Sequence, residues 1–271
     1  MTRPPLNLTK HHGLGNDFLV MFDDETSAPD LSGLAVEVCD RRTGIGADGL
    51  LVASSADGYA AKMTLFNADG SVAEMSGNGI RCFAQAVAIR RGDLGPQLIL
   101  TDAGERVVTL TATDDPAIIS AQVEMGDVTP LPAPDGWATL GCHPDRPVAH
   151  LSLGNPHSVV GVDDVGVVDL AELGSKVPQV NLEIIEPGPE PNAVTMRVHE
   201  RGAGITAACG TGACASAFAA RSWGLVPPSE SLVVVHMDGG TAGVTLTGDE
   251  PPCAILTGPA AFVATIEIGL P

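Results

Sequence analysis

Two glycine-framed turns, each opening on a small nucleophilic residue, occur 133 positions apart in this chain. The first reads Ser76-Gly77-Asn78-Gly79 and the second Cys209-Gly210-Thr211-Gly212. A polar residue precedes each turn by nine positions, Asn67 in one case and Glu200 in the other. A side chain at the start of a helix lies among unpaired backbone N–H groups, a setting that can lower a cysteine pKa and bind a carboxylate. Either turn alone would be an ordinary helix cap, but the matched pair predicts one site built from two related halves.

A second correspondence links the two halves of the chain. The segment Gly13–Phe18 contains Asn16, and the segment Leu153–His157 contains Asn155. Each asparagine is predicted to lie at a strand–turn corner, where its amide can cap the backbone or bind a ligand.

The periodicity around these turns predicts an α+β fold. Short β-type runs dominate, and the alternating run Ala261–Ile268 is the last of them. We expect two similar domains, residues 1–118 plus 260–271 and residues 119–259, each a mixed sheet or barrel around a central helix, with the site in the cleft between them. The Pro-rich stretch 130–134 is expected to mark a linker or domain edge. Four segments have the length and composition of helices: Leu31–Asp40, Gly79–Arg91, Leu170–Lys176 and Gly210–Trp223.

The bulk composition excludes several classes of protein. A net charge of -19 argues against nucleic acid or anionic membranes as partners. The uncharged stretch Gly202–Ala220 is too weakly apolar to span a bilayer and predicts a buried helix instead. Residues 1–10 contain no apolar run, which predicts no secretory signal, and the six cysteines contain no C-x-x-C pair. We therefore expect a cytoplasmic protein with reduced thiols, no metal site and a small-molecule substrate; the sequence leaves a homodimer open.

Taken together, these segments resemble the diaminopimelate epimerase family of cofactor-independent amino-acid epimerases. The resemblance implies two pseudo-symmetric domains and interconversion of LL- and meso-diaminopimelate, a step in making lysine and peptidoglycan precursors. In that reaction one thiolate removes an α-proton and one thiol returns a proton on the other face. The matching stretches follow the family's order through most of the chain: His12–Phe18, Asp40–Leu51, Asn67–Cys82, Gly154–His157, Val180–Glu183 and His199–Ala215.

The resemblance also implies roles for individual residues. Cys209 matches the second catalytic cysteine, and His157 and Glu200 match polar groups that assist proton handling. Cys82 and Cys214 are interpreted as packing residues. The chain has three lysines, Lys10, Lys62 and Lys176, and none lies beside the paired turns, so a pyridoxal Schiff base has no support from context and no cofactor is expected. The positions implied to hold substrate are Asn16, Asn67, Gly77, Asn78, Asn155, Asn181, Glu200, Arg201, Gly210 and Thr211.

Ser76 departs from the family, which has its first catalytic cysteine at this position. A serine hydroxyl does not ionise usefully near pH 7 without a strong base, whereas a thiol needs a modest pKa shift. Impaired epimerisation is therefore expected. Ser76 is either an engineered change that traps substrate or natural, in which case the chain is a racemase or dehydratase for another amino acid. A third reading is a catalytically silent amino-acid-binding protein. Ile205 also replaces the family's usual glutamate, close to Arg201.

Overall fold

Residues 5–24, 30–248 and 250–269 are described by a computed structural model, and within them the chain forms four α-helices and seventeen β-strands. The helices are α1 (Leu31–Cys39), α2 (Gly77–Arg91), α3 (Leu170–Lys176) and α4 (Gly210–Ser222). The first nine strands are β1 (Leu6–Gly13), β2 (Asn16–Phe22), β3 (Gly49–Ser54), β4 (Ala61–Asn67), β5 (Val72–Ala73), β6 (Gln97–Thr101), β7 (Gly104–Ala112), β8 (Ile118–Asp127) and β9 (Thr129–Pro130). The others are β10 (Val148–Ser152), β11 (Pro156–Gly161), β12 (Asn181–Pro187), β13 (Ala193–Glu200), β14 (Gly204–Thr206), β15 (Leu232–Met237), β16 (Gly240–Leu246) and β17 (Cys253–Ile268). Short 3-10 helices cover Trp137–Leu140 and Val165–Val167.

The chain divides into two compact units. The N-terminal unit contains the residues up to Val123 and those from Gly258 onward, and the C-terminal unit is Glu124–Thr257. Both divisions fall inside strands, β8 and β17, so the Pro-rich stretch 130–134 lies wholly within the C-terminal unit. The limits predicted from the sequence, 118/119 and 259/260, stay a prediction.

The same order of elements and pairings occurs in both units. In the N-terminal unit β1–β2 is antiparallel, β2–β3 parallel, β3–β4 antiparallel, β4–β6 parallel, and β6–β7 and β7–β8 antiparallel. The C-terminal unit repeats these directions from β10–β11 through β16–β17. Strand β17 pairs with both β1 and β8, which closes β1, β2, β3, β4, β6, β7, β8 and β17 into an eight-stranded barrel. The fold is α+β, with two pseudo-symmetric domains.

One helix in each unit is buried almost completely by its sheet. In α2 every residue from Gly77 to Ala88 is buried, and in α4 nearly all residues up to Ala220 are. Glycine and alanine make up 7 of the 13 residues of α4 and 5 of the 15 residues of α2, and small side chains allow strands to pack close to a helix backbone. No helix in the described part of the chain is long and apolar enough to cross a membrane.

The predicted helices agree with the structure to within two residues at each end. The stretch Gly202–Ala220 was wrong as a single helix, because Gly204–Thr206 is the short strand β14 and the helix begins at Gly210. The sequence reasoning also missed β1, although the buried pair Leu6 and Leu8 carries the alternation of a strand. Strand β17 begins eight residues before the predicted Ala261 and keeps the predicted alternation to Ile268.

Burial of His11 predicts a pH dependence of stability. The His11 ring is fully buried, with Nδ1 2.8 Å from Gln85 Oε1 and Nε2 2.9 Å from Thr9 Oγ1. Burial, together with the nearby His12, lowers the pKa of His11 to about 4 from 6.5. Because the unfolded chain binds this proton more readily, the stabilisation is complete above pH 6.5 and is lost as the pH falls toward 4. We expect the free energy of unfolding to drop by about 2 kcal/mol between pH 7.5 and pH 5 through this group alone.

Urea denaturation at the two pH values measures this effect. His11→Gln should remove the His11 part of the difference, whereas the exposed His143→Gln serves as a matched control and should retain it. An unchanged difference in His11→Gln would assign the effect to other groups.

Candidate active site

Ser76 caps the helix α2 of the N-terminal unit. It has an extended backbone conformation, and its Oγ accepts a hydrogen bond of 3.0 Å from the Gly79 N–H. A Cβ on Gly79 would lie 3.0 Å from the Ser76 Cβ, so glycine is required for the turn to close this tightly. The remaining N–H groups of the first turn are available to an anion, because a helix N-terminus has no internal partners for them.

A chain of hydrogen bonds leads away from this cap. Asn78, in the first turn of α2, donates from Nδ2 to Asn16 Oδ1 at 3.2 Å. Asn16 in turn donates from Nδ2 to Asp48 Oδ2 at 2.6 Å. The fully buried Arg81 donates to Asn78 Oδ1 at 2.8 Å and to the Gly77 carbonyl at 3.0 Å. These contacts fix the Asn78 and Asn16 amides on one side of the Ser76 turn.

Cys209 occupies the equivalent position in the C-terminal unit. It caps α4 with an extended backbone, and its Sγ accepts from the Gly212 N–H at 3.4 Å. The side chain is buried, with Sγ 3.5 Å from the Thr211 hydroxyl. The two predicted nucleophile positions are therefore both helix caps, each bound to the N–H three residues further on.

The electrostatic setting of Cys209 differs from the sequence-based expectation. A helix start can lower a cysteine pKa, and the Gly212 N–H acts in that direction here, but burial outweighs it. Burial raises the pKa of the Cys209 thiol well above its usual value, and the carboxylate of Glu200 adds to the effect. The hydrogen bonds from Thr211 and Gly212 oppose it but are weaker. Cys209 is consequently a neutral thiol near pH 7.

Polar side chains from two neighbouring strands lie behind Cys209. Asn155 Nδ2 donates to Thr211 Oγ1 at 3.2 Å, and Asn155 Oδ1 is 3.0 Å from His157 Nε2. His157 Nδ1 lies 2.7 Å from Glu183 Oε1, and both side chains are completely buried. Desolvation by burial raises the pKa of Glu183 despite the contact with His157. The predicted residues Asn155, His157 and Thr211 thus form one connected group with Glu183.

Three other predicted residues of the C-terminal unit lie near one another: Asn181 begins β12, Glu200 ends β13 and Arg201 follows it. The Asn181 Oδ1 accepts from the Arg201 backbone N–H at 2.8 Å, while the Arg201 side chain is exposed. Glu200 Oε1 accepts from the Thr206 hydroxyl on β14. Ile205, on the same short strand, is 41% exposed. The charged residues Glu200 and Arg201 therefore lie next to Asn181, at the start of β12.

Asn67 serves first to stabilise its own turn. Its Nδ2 donates to Ser71 Oγ at 3.0 Å, and its backbone N–H donates to the Ser71 carbonyl. Cys82 and Cys214 are fully buried on α2 and α4, and burial raises the pKa of Cys82 to about 12. Both positions agree with packing roles.

Sequence reasoning missed three residues that organise these groups: Asp48, Arg81 and Glu183. Glu183 carried a usable signal, because it follows Asn181 by two positions on a strand and so shares its face. Arg81 also carried a local signal, because it follows Asn78 by three positions on α2. Asp48 carried none, since its contact with Asn16 joins segments 32 positions apart. Among the described ranges, no group of three or more His, Cys, Asp or Glu side chains is placed to hold a metal ion.

The tight turn at Cys209 predicts a large effect of one methyl group. A Cβ on Gly212 would lie 2.7 Å from Glu183 Oε1 and 3.3 Å from Cys209 Sγ. Because a buried carboxyl group must move to admit it, we expect Gly212→Ala to lower the free energy of unfolding by about 1–3 kcal/mol. Gly248→Ala, where a Cβ meets nothing within 4 Å, is the matched control and should stay within about 0.5 kcal/mol. Urea denaturation compares them, and equal stabilities would contradict the close packing.

Comparison with known proteins places this chain in a family. The family model described as diaminopimelate epimerase matches residues 8–131 and 150–263. The diaminopimelate epimerase of Synechococcus elongatus is 38% identical over 278 residues, covering 95% of this chain and 96% of the relative. That of Halothermothrix orenii is 32% identical, covering 97% and 98%. The chain belongs to the diaminopimelate epimerase family. It is an enzyme of the isomerase class, an amino-acid epimerase.

Solved structures extend the likeness at the level of the fold. A phenazine biosynthesis protein of the PhzF family from Bacillus anthracis has a TM-score of 0.78 at 14% identity, covering 98% of this chain and 99% of its own. A hydroxyproline epimerase from Agrobacterium vitis, solved with bound trans-4-hydroxy-L-proline, has a TM-score of 0.72 at 14% identity, covering 100% and 94%. This member of the diaminopimelate epimerase family thus shares its fold with proteins of quite different sequence.

Proposed function

We propose that this epimerase interconverts LL- and meso-diaminopimelate without pyridoxal phosphate, and that Ser76 impairs the reaction. The observation that carries the proposal is the pair of equivalent caps. Ser76 Oγ and Cys209 Sγ each accept from the N–H three residues on, at the start of a buried helix. Curated relatives that carry the name diaminopimelate epimerase cover nearly the full chain, which supports this substrate.

In the proposed reaction, both helix starts act on the same α-carbon. The N–H groups of the two first turns bind the α-carboxylate and stabilise the negative charge that develops when the α-proton leaves. Cys209 exchanges a proton with one face, and residue 76 serves the other face. A hydroxyl at position 76 performs this second transfer poorly, because its pKa is far above that of a thiol.

The distal end of the substrate needs groups for an ammonium and a second carboxylate. We assign these to Asn16, Asn67, Asn155, Asn181, Glu200 and Arg201, whose amides, carboxylate and guanidinium suit both charges. The proposed reaction uses none of the three lysines, each of which forms an ion pair with a carboxylate: Lys10 with Asp17, Lys62 with Asp102 and Lys176 with Glu172.

Proton NMR in D₂O tests the substrate assignment. The isomer of diaminopimelate, LL or meso, that presents its α-proton to Cys209 should lose that signal in the presence of the chain, and proline, glutamate and aspartate should not. Exchange of another amino acid in preference to diaminopimelate would favour a racemase or dehydratase for that substrate. Tight binding with no exchange of any amino acid would favour an amino-acid-binding protein.

A further inference from the structure

A hydrogen-bond chain within the C-terminal unit connects a fully buried carboxyl group to the catalytic sulfur. It runs from Glu183 Oε1 to His157 Nδ1 (2.7 Å), from His157 Nε2 to Asn155 Oδ1 (3.0 Å), from Asn155 Nδ2 to Thr211 Oγ1 (3.2 Å), and from Thr211 Oγ1 to Cys209 Sγ (3.5 Å). Glu183 has no contact with substrate in the proposed reaction, so its burial there requires another explanation.

The direction of each hydrogen bond follows from the chemistry of the groups. An amide oxygen only accepts, so His157 Nε2 must carry the proton that Asn155 Oδ1 receives. The Asn155 amide then donates to Thr211 Oγ1, which leaves the hydroxyl hydrogen of Thr211 to be donated elsewhere. When Cys209 is a thiolate it can only accept, so that hydrogen is directed at Sγ. Each donor in this series of hydrogen bonds, from Glu183 to Thr211, therefore donates in the direction of the Cys209 sulfur.

The state of Glu183 completes the argument. The imidazole tautomer with its proton on Nε2 presents Nδ1 as an acceptor, and Glu183 then donates to it as a carboxylic acid; an imidazolium would instead pair with a Glu183 carboxylate. Burial raises the pKa of Glu183, which favours this protonated form. The second oxygen, Oε2, is buried and has no hydrogen-bond partner among the described residues. Burying an oxygen without a hydrogen-bond partner costs far less free energy in a neutral carboxylic acid than in a charged carboxylate.

The N-terminal unit lacks this arrangement at the equivalent positions. In the parallel pair β2–β3, Phe18 lies opposite Gly49, just as His157 lies opposite Asn181 in β11–β12. Phe18 and the buried Leu51 thus stand where the other unit has His157 and Glu183. In the N-terminal unit the series of hydrogen bonds has the opposite direction. Arg81 donates to Asn78, Asn78 to Asn16 and Asn16 to Asp48, so the donors lead away from Ser76. The N-terminal unit folds with the apolar pair Phe18 and Leu51 at these positions, so folding does not require a polar pair there. We therefore attribute a role at Cys209 to His157 and Glu183.

We infer that Glu183 is a positioning residue that, through His157 and Asn155, orients the Thr211 hydroxyl to stabilise the Cys209 thiolate. This deepens the proposed function and rests on it for the use of that thiolate in proton transfer. The titratable groups that face Cys209 within its own unit are Glu183, on β12, and Glu200, at the end of β13. Glu200 is left unchanged in every variant below.

The test is the pH dependence of Cys209 alkylation by iodoacetamide, resolved from Cys214 on the peptide 202–221 by mass spectrometry. The measurement needs no substrate, so it succeeds or fails independently of the diaminopimelate assignment. Glu183→Leu and Thr211→Val should each slow alkylation at pH 8 by roughly five- to tenfold, since a hydrogen bond to a charged acceptor is lost. The double variant should be no slower than either single one, because both remove the same interaction. Thr211→Ser should restore the rate.

Glu183→Gln separates orientation from charge. The Gln amide can donate to His157 Nδ1 as the protonated acid does, so the pH profile should stay within about 0.3 unit of the parent chain. If Glu183 acted instead as a negative charge near Cys209, both Glu183→Gln and Glu183→Leu would speed alkylation, and the inference would be overturned. Additive effects in the double variant would overturn it as well.

A second variant covers the event that Glu183→Leu fails to fold. His157→Phe/Glu183→Leu reproduces the apolar pair that the N-terminal unit already contains, and urea denaturation verifies its fold. It should show the same slower alkylation as Thr211→Val. An unchanged rate in this folded variant would contradict the positioning role.

Discussion

Ser76→Cys should raise the rate of inversion of LL-diaminopimelate by at least about 100-fold, within the range that a positioned acid or base contributes to catalysis. The Gly79 N–H that now binds Ser76 Oγ would then bind a sulfur, as the Gly212 N–H does at Cys209. A thiol with an ordinary pKa of roughly 8.5 supplies a thiolate near neutral pH, which a hydroxyl does not. Proton NMR in D₂O reports formation of the meso isomer separately from loss of the α-proton signal.

Two variants act as controls for this experiment. Ser76→Ala removes the hydroxyl without adding a thiol and should invert no faster than the present chain. Ser76→Cys combined with Cys209→Ala should lose inversion again. If Ser76→Cys binds diaminopimelate and does not invert it, the assignment of two proton-transfer residues is wrong. If the present chain already inverts as fast as Ser76→Cys, Ser76 does not impair the reaction.

Cys209 alone should still catalyse α-deuterium exchange, and the rate should climb steeply with pH. A single base can remove the proton on its own face and return deuterium from solvent to the same face, so exchange proceeds without inversion. Burial and the carboxylate of Glu200 raise the pKa of Cys209, which leaves a small thiolate fraction at pH 7. Because that fraction grows tenfold per pH unit below the pKa, we expect about a 100-fold faster exchange at pH 9 than at pH 7.

Cys209→Ala should abolish this exchange while substrate binding survives, since the helix N–H groups remain. Cys214→Ala is the matched control, because Cys214 is fully buried on the same helix and should not affect the pH profile. Only the stereoisomer whose α-proton faces Cys209 should exchange. Exchange that persists in Cys209→Ala, or that occurs equally at both α-centres, would show that another group is the base.

Local pattern was sufficient to predict the main elements of this fold. The two turns at Ser76 and Cys209, their glycines and the small-residue helices after them are determined by backbone requirements that neighbouring residues express directly. The same is true of the family resemblance, since its motifs are contiguous stretches of sequence. That Ser76 and Cys209 lie across one substrate stays a prediction, to be tested by the two experiments above.

Tertiary structure alone determined the electrostatics of the predicted residues. The pKa of Cys209 is raised rather than lowered because burial and the carboxylate of Glu200, at the end of β13, outweigh the helix start. The sequence alone did not show that this thiol is buried or that a carboxylate approaches it. The connection from Glu183 through His157 to Thr211 depends likewise on the register between β11 and β12. The pairing of strands that are distant in sequence determines which charged groups are buried together in a low-dielectric interior. Short-range sequence patterns do not contain this information.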